Sequence, residues 1–162
     1  MSQCSVIIPV YNKASLTRQC LDALLAHPPQ STSIEIIVAD DASTDVTGQL
    51  LAGYGDRIRV VRHATNAGFA TSCNDGAAAA AGEYLVFLNN DTIPKAGWLD
   101  ALLGYTTGHP RASVVGAKLL FPETRTVIGP ALKVDVSPRL FRSLRAVVKP
   151  RPQVWIRASS LM

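Results

Sequence analysis

The sequence predicts a single α/β domain built on a mainly parallel sheet. Over the first 121 residues, short apolar runs rich in β-branched residues alternate with segments of helical spacing, and the connections are short. One run, residues 84–88, is apolar throughout, which is typical of a central strand covered on both faces. The chain has 162 residues, 48% hydrophobic and 17% charged, so it can bury a core.

The first half of the sheet is predicted from two strand–helix units. Residues 5–10 form the first strand, and the segment after it carries apolar residues at helical spacing: Leu16, Cys20, Leu21, Leu24 and Leu25. Residues 34–39 form the second strand. The next helix opens within 43–45, where Ser, Thr and Asp favour a helix N-terminus, and it runs to about residue 52, where glycines end it.

Three more strands complete the predicted sheet. Residues 58–62 form the third strand, residues 68–81 a helix rich in small residues, and residues 84–88 the fourth strand. A short helix over 98–105 and a fifth strand over 112–121 follow. We therefore place the folded domain at residues 1–121.

The remaining segment, 122–162, differs in pattern and in charge. It contains five prolines and no long amphipathic segment, so we predict a weakly ordered or divergent appendage. It holds eight Lys or Arg against two Asp or Glu, a net of +6, whereas residues 1–121 hold eight against ten, a net of −2. Such a segment can contact an anionic membrane surface, although a solvated terminus is the simpler interpretation.

Composition and motifs argue against several other classes of protein. No apolar run reaches the roughly eighteen residues of a membrane-spanning helix, and the N-terminus lacks the pattern of a secretory signal, so we expect a cytoplasmic protein. The three cysteines have no CxxC spacing and are predicted to be buried and free. The phosphate-binding signatures GxxxxGKS/T and GxGxxG are absent, which argues against an ordinary ATPase or dinucleotide dehydrogenase.

Polar residues follow four of the predicted strands at their carboxyl ends, where open parallel sheets bind ligands. The four segments are 9–12, 40–45, 66–68 and 89–91, and we expect them to meet at one rim. In the second segment, Asp40 and Asp41 place two carboxylates side by side. One of them can cap the following helix, and the other can accept a hydrogen bond from a nucleobase N–H.

The last segment, Asn89-Asn90-Asp91, presents a carboxylate beside two amide oxygens, a donor set suited to Mg²⁺ or Mn²⁺ held jointly with substrate phosphates. The alternative is an Asx turn that ends in Thr92-Ile93-Pro94. The third segment, Asn66-Ala67-Gly68, together with Asn74-Asp75-Gly76, places amides and glycines at the start of a helix. Such a helix start favours an anion, and simple helix capping is the alternative.

Taken together, these motifs resemble the family-2 glycosyltransferases in order and spacing. They are SVIIPVYN at 5–12, EIIVADDASTD at 35–45, NAGF at 66–69 and GEYLVFLNND at 82–91. The resemblance covers residue 4 to about 121, and Asn89 stands where the family's DxD motif has its first Asp, as in rhamnosyltransferase-type members. It implies a GT-A (Rossmann-like) fold, with this chain as a single incomplete domain.

The resemblance also implies a function and a set of site residues. It implies a nucleotide-diphosphate sugar donor, a divalent metal (Mg²⁺ or Mn²⁺), inversion at the sugar carbon, and a saccharide or lipid-linked acceptor in polysaccharide biosynthesis. No nucleic acid partner is expected, and a second copy of the chain is an expected partner. The nucleotide-binding residues would be Pro9, Tyr11, Asp40, Asp41, Asn66, Gly68 and Asn90, and the metal ligands would be Asp91 and Asn89.

The catalytic residue is left unassigned. In the family the base is a carboxylate from the second half of the domain, and the only acids beyond residue 121, Glu123 and Asp135, lie in settings unlike the family's acidic motif. We therefore hypothesise a truncated or altered glycosyltransferase that binds donor but turns it over poorly.

Two other classes of protein remain open at this stage. A phosphoacceptor receiver domain could use Asp40, Asp41, Asp91 and Lys118, but its acidic pair would follow the first strand, whereas here it follows the second. A non-catalytic binding module, in which the basic segment recruits a membrane or a partner chain, fits the same fold.

Overall fold

The computed structural model describes residues 4–109, 114–117 and 155–158. Within these ranges strands and helices alternate along the chain. The strands are β1 (Cys4–Val10), β2 (Ile34–Asp40), β3 (Arg59–Arg62), β4 (Tyr84–Leu88), β5 (Val114–Gly116) and β6 (Trp155–Ala158). The helices are α1 (Ala14–Ala26), α2 (Thr47–Ala52), α3 (Phe69–Ala79) and α4 (Trp98–Gly108), and one 3₁₀ turn, Gly55–Arg57, precedes β3.

The six described strands form one sheet in the order β3-β2-β1-β4-β6-β5, with parallel pairing between neighbours. Val10 pairs with Asp40, and Asp40 with Arg62, so β1, β2 and β3 end at the same level. The predicted α/β fold with a mainly parallel sheet is thereby confirmed. The level strand ends bring the loops that follow them to one edge of the sheet.

The sheet is covered on both faces, as its fully buried central strand requires. Alternate β1 residues, among them Val6 and Ile8, pack with the apolar stripes of α1, α2 and α4. Ile7 points to the opposite face, where it clusters with Ile37 and Leu85 beneath the alanines at the end of α3. The core therefore consists of two layers separated by the sheet.

Two helix boundaries differ most from the predicted ones, and α3 spans Phe69–Ala79 where residues 68–81 were expected. Helix α2 begins at Thr47, later than expected, because the preceding segment is held by the loop after β1: Asn12 Oδ1 accepts hydrogen bonds from Thr44 N at 2.7 Å and Asp45 N at 3.2 Å. Asp45 then caps the helix, accepting from Thr47 N at 2.9 Å. Helix α4 continues to Gly108, three residues beyond its predicted end. Of the predicted fifth strand, only residues 114–117 are described.

The segment predicted as an appendage contributes one strand to the sheet. Strand β6 pairs with β4, Leu85 opposite Trp155, and also with β5. This strand was not predicted, because a run of four residues that includes Arg157 is too short for a period to be recognised. The rest of 118–162 lies outside the described residues. No helix in the described ranges has the length and apolarity needed to cross a bilayer.

Candidate functional site

A cavity of about 460 Å³ lies where β1, β2 and β4 end. It is lined by all but one of the predicted site residues, namely Pro9, Tyr11, Asp41, Asn66, Gly68, Asn89, Asn90 and Asp91. The four polar segments of the sequence thus meet at one rim. The contact of each of these residues with a ligand stays a prediction. Their burial and hydrogen bonds, described next, show which of them can accept or donate in the cavity.

Asp41 is the best-defined group of the cavity. Its carboxylate is only 4% exposed and is held by three hydrogen bonds. Oδ1 accepts from Ala67 N at 2.7 Å and lies 2.8 Å from His63 Nδ1, and Oδ2 accepts from Gly68 N at 2.8 Å. A carboxylate has about four acceptor positions, so one position of Asp41, on Oδ2, is left for a further donor.

These contacts fix the ionisation of Asp41. Burial by itself raises the pKa of the carboxyl, but the hydrogen bonds from Ala67, His63 and Gly68, together with the charge of His63, lower it by more. The net effect holds the pKa of Asp41 below its usual value. Asp41 is therefore an ionised acceptor, unable to donate, at neutral pH.

His63 is the second ionisable group at this site, since it contacts Asp41. It was not predicted as a site residue. It directly follows β3, and its backbone N donates to Asp40 O at 2.9 Å. Its hydrogen bond with Asp41 is the largest influence on its pKa, which is raised despite partial burial. Its position directly after the third strand could have identified it, because the strand-end rule that selects Asn66-Ala67-Gly68 applies to His63 as well.

Asp40 is placed differently from its neighbour and is absent from the cavity lining. Its carboxylate is fully buried, accepting from Ser43 N at 2.9 Å and pairing with Arg62 Nη1 at 2.8 Å. Both oxygens are thus engaged by protein groups. The expected nucleotide contact of Asp40 is not supported by this position. Asp40 does not cap α2 either, because its bond to Ser43 N holds the loop before that helix, which begins at Thr47.

The turn 66–68 does not present an open anion site. The backbone N–H groups of Ala67 and Gly68 donate to Asp41, so the anion at the start of α3 is a side chain of the protein itself. Asn74-Asp75-Gly76 lies inside α3, not at its start. There Gly76 allows the helix to approach the sheet, since a Cβ on it would lie 2.5 Å from Ile7 Cγ2.

The segment Asn89-Asn90-Asp91 forms a turn that α1 holds in place. Thr92 closes the turn by donating to Asn89 O from both its backbone N and its hydroxyl, at 3.2 and 2.7 Å. Asn90 Nδ2 donates to the buried Thr17 Oγ1 at 3.0 Å, and Cys20 Sγ lies 3.6 Å from Asn89 O. The bonds that close the turn go to the backbone carbonyl of Asn89, not to its side chain as in the Asx turn of the alternative. The turn is also a wall of the cavity.

The remaining lining adds aromatic surface and one positive charge. Tyr11 and Phe69 are about half exposed, at 50% and 55%, and Lys13 is the only basic residue among the described lining residues. Lys13 and Phe69 were not predicted as site residues, although each lies within two residues of one. The cysteines lie elsewhere: all three are free and buried, as predicted, and burial raises the pKa of Cys4 and Cys20 to about 12.

Comparison with known proteins assigns the family. The model of glycosyl transferase family 2 matches residues 5–156, nearly the whole chain. The chain belongs to glycosyl transferase family 2. The match reaches beyond the residue-121 limit of the resemblance seen in the sequence, and it removes the receiver-domain alternative.

Individual family-2 relatives agree with this assignment. The glycosyltransferase GlyG of Streptococcus pneumoniae is 33% identical over 101 residues, which cover 60% of this chain and 33% of GlyG. TarS 1-349 of S. aureus, solved with UDP-GlcNAc, superposes with a TM-score of 0.66 at 25% identity, covering 75% of this chain and 36% of that one. The mannosyltransferase PcManGT of Pyrobaculum calidifontis, solved with GDP-Man and Mn²⁺, gives 0.63 at 25% identity, covering 73% and 36%. The chain thus spans about a third of each of these proteins.

Proposed function

We propose that this chain binds a nucleotide-diphosphate sugar in the cavity and serves the sugar transfer of a family-2 glycosyltransferase. The observation that carries the proposal is the carboxylate of Asp41, ionised, nearly buried and with one acceptor position left on the cavity. A fixed acceptor of this kind suits the ring N–H of uracil, thymine or guanine. Cytosine and adenine carry no proton on the corresponding ring nitrogen.

The aromatic surface beside Asp41 supports a bound base. Tyr11 lies two residues beyond Pro9 on the cavity wall and is half exposed, which gives a nucleobase a face to stack on. Two structural neighbours support the same class of ligand, because TarS was solved with UDP-GlcNAc and PcManGT with GDP-Man. UDP and GDP both carry the ring N–H that Asp41 would accept.

The Asn89-Asn90-Asp91 part of the cavity lining fits the diphosphate and a metal. The described residues contain no cluster of three His, Cys, Asp or Glu that would hold an ion alone. A site of one carboxylate, Asp91, with the amides of Asn89 and Asn90 nearby, suits Mg²⁺ or Mn²⁺ when the phosphates complete the coordination. Such an ion would stabilise the charge of the leaving diphosphate, and Lys13 would add a second positive charge.

The transfer itself would be a displacement with inversion, in which a base removes the proton of an acceptor hydroxyl. Neither carboxylate on the described cavity wall suits that role. The lowered pKa of Asp41 makes it a weak base and its remaining acceptor position would receive the nucleobase, while Asp91 would face the metal. We therefore assign donor binding, and not proton removal, to the described residues. A saccharide or lipid-linked acceptor stays a prediction.

The test is calorimetric titration of the chain with UDP, dTDP, GDP and CDP in the presence of Mn²⁺. We expect at least one of the first three to bind, and CDP to bind about tenfold more weakly or worse, because its ring nitrogen would face a carboxylate lone pair. Asp41→Asn should weaken the preferred nucleotide by about tenfold. Asp56→Asn removes the same charge from the exposed 3₁₀ turn and should change nothing. Failure of every nucleotide to bind the wild-type chain would refute the proposal.

A further inference from the structure

We infer that His63 is the positioning residue for Asp41: its ring, clamped between Asp41 and Asp75, fixes the carboxylate that receives the nucleobase. The inference rests on the proposed function, because it concerns donor binding at the same cavity. His63 itself does not line the cavity and acts only through Asp41.

The geometry of the clamp involves three structural elements. The His63 ring follows β3 and is only 11% exposed; its Nδ1 lies 2.8 Å from Asp41 Oδ1, at the end of β2. Its Nε2 lies 3.0 Å from Oδ2 of Asp75, on α3. Nε2 has no regular hydrogen-bond partner within the described residues, so this second contact is mainly an attraction between charges.

Asp41, at the end of β2, and Asp75, on α3, are the two ionisable groups that shift the pKa of His63. The hydrogen bond to Asp41 contributes most to raising the pKa of His63, burial opposes it, and the charges of Asp41 and Asp75 raise the pKa further. Both ring nitrogens therefore carry protons at pH values where an ordinary histidine has lost one. In that state the ring attracts Asp41 on one side and Asp75 on the other.

Loss of the proton changes both sides of the clamp. The lone pair on Nε2 then faces the Asp75 carboxylate, so an attraction becomes a repulsion, and Asp75, 47% exposed, is free to turn toward solvent. The negative charge of Asp41 also loses its neighbouring positive charge, next to a ligand that itself carries a diphosphate. Since the pKa of His63 is raised, the favourable state exists at low pH and is lost as the pH rises through that pKa. Donor affinity should therefore fall with rising pH.

The first test compares the wild-type chain with His63→Asn between pH 6 and 9, using UDP-glucose and GDP-mannose as probes. The Asn amide can donate to Asp41 from nearly the same place as Nδ1 but does not titrate in this range. We expect the wild-type dissociation constant to increase by about fivefold or more relative to that of His63→Asn across the range. His109→Asn changes an exposed histidine that directly follows α4. This control should keep the wild-type dependence of donor affinity on pH.

A second variant makes the test independent of how His63→Asn folds. Asp75→Asn replaces the half-exposed carboxylate by an amide that can donate to a neutral Nε2. Because Asp75 helps to raise the pKa of His63, the affinity of this variant should fall at a lower pH than that of the wild type. In the wild type, nucleotide binding should also raise the pKa of His63 measured by NMR, because coupling between two binding equilibria is reciprocal.

The outcomes separate this inference from the proposed function. A pH-dependent ratio of affinities between wild type and His63→Asn, with the loss of affinity moved to lower pH in Asp75→Asn, supports the clamp. Wild-type binding whose ratio to His63→Asn stays constant over the range overturns the clamp and leaves the proposed function standing. Binding of neither probe by the wild-type chain at any pH overturns both.

Discussion

At the scale of one residue, a substitution at Asp91 tests whether its carboxylate binds the divalent metal. If Asp91 is the carboxylate that holds a divalent ion against the diphosphate, Mn²⁺ should strengthen UDP binding to the wild-type chain. Asp91→Asn should remove most of that gain, about tenfold or more. Uridine, which has no phosphates, should bind both forms equally well with or without Mn²⁺. These affinities are measured by calorimetry, and a Mn²⁺ effect on UDP that survives in Asp91→Asn would exclude Asp91 as the ligand.

The carboxylates of Asp40 and Asp41 show where sequence reasoning about single residues reaches its limit. Both follow the same strand, so the strand-end rule selects both and cannot rank them. Their roles are set by partners that are distant in sequence. Arg62, on the neighbouring strand, pairs with Asp40, and the backbone N–H groups of Ala67 and Gly68 donate to Asp41. Sequence spacing does not record such contacts. The same reason explains why His63, whose role depends on Asp41 and Asp75, was not predicted.

At the scale of elements, the apolar strands were predictable because each is a short buried run bounded by polar residues. The start of α2 was not, since Asn12 holds residues 44–45 outside the helix through contacts made across 32 and 33 residues of sequence. Asn12 itself has a positive φ of 56°, and so does Lys13, at 59°. The contacts between the loop after β1 and residues 44–45 therefore stabilise a positive φ that Asn12 and Lys13 would not favour alone.

Helix α3 gives a stability prediction at this scale. Its close approach to the sheet depends on Gly76, because a Cβ there would overlap Cγ2 of the fully buried Ile7. We expect Gly76→Ala to lower the free energy of unfolding by about 1–3 kcal/mol, as overpacked cores do. Gly104→Ala is the matched change on α4, where a new Cβ meets nothing within 4 Å. It should raise the free energy of unfolding by about 0.5–1 kcal/mol through helix propensity.

Urea unfolding followed by circular dichroism measures both glycine variants against the wild type. Equal effects of the two substitutions, or no effect of Gly76→Ala, would show that α3 can move away from β1 at little cost. Displacement of α3 would also disturb the cavity, because Asp75 and the turn at Gly68 belong to the same helix and its N-terminus. Nucleotide affinity of Gly76→Ala is therefore expected to fall along with its stability.

At the scale of the whole molecule, donor binding and sugar transfer separate. The cavity is built from the ends of β1, β2 and β4 and from the turns that follow them, all within residues 9–91. The carboxylates on its described wall are engaged by the turn at 67–68 or assigned to the metal. The chain spans about a third of GlyG, of TarS 1-349 and of PcManGT. We therefore expect sugar transfer to depend on groups beyond this cavity wall, and nucleotide binding to need only the residues that line it.

The uneven charge of the chain adds a last prediction, that it attaches to anionic membranes. Residues 122–162 carry a net charge of +6 against −2 for the rest, and each basic residue near an anionic surface contributes roughly 1 kcal/mol. We therefore propose that the chain floats with phosphatidylserine vesicles at low salt and not with neutral vesicles. Because the attraction is screened, roughly 0.5 M salt should release the protein.

Two matched triple variants locate the attraction. Flotation should be lost when three basic residues of the segment are changed to Gln, namely Arg142, Arg145 and Lys149. It should persist when three exposed basic residues of the described domain are changed in the same way, namely Arg18, Arg57 and Lys95. Both variants lower the net charge equally, so a difference between them can only come from where the charge lies. Equal loss in both would assign the attraction to overall charge, and flotation that resists salt would point to an apolar contact instead.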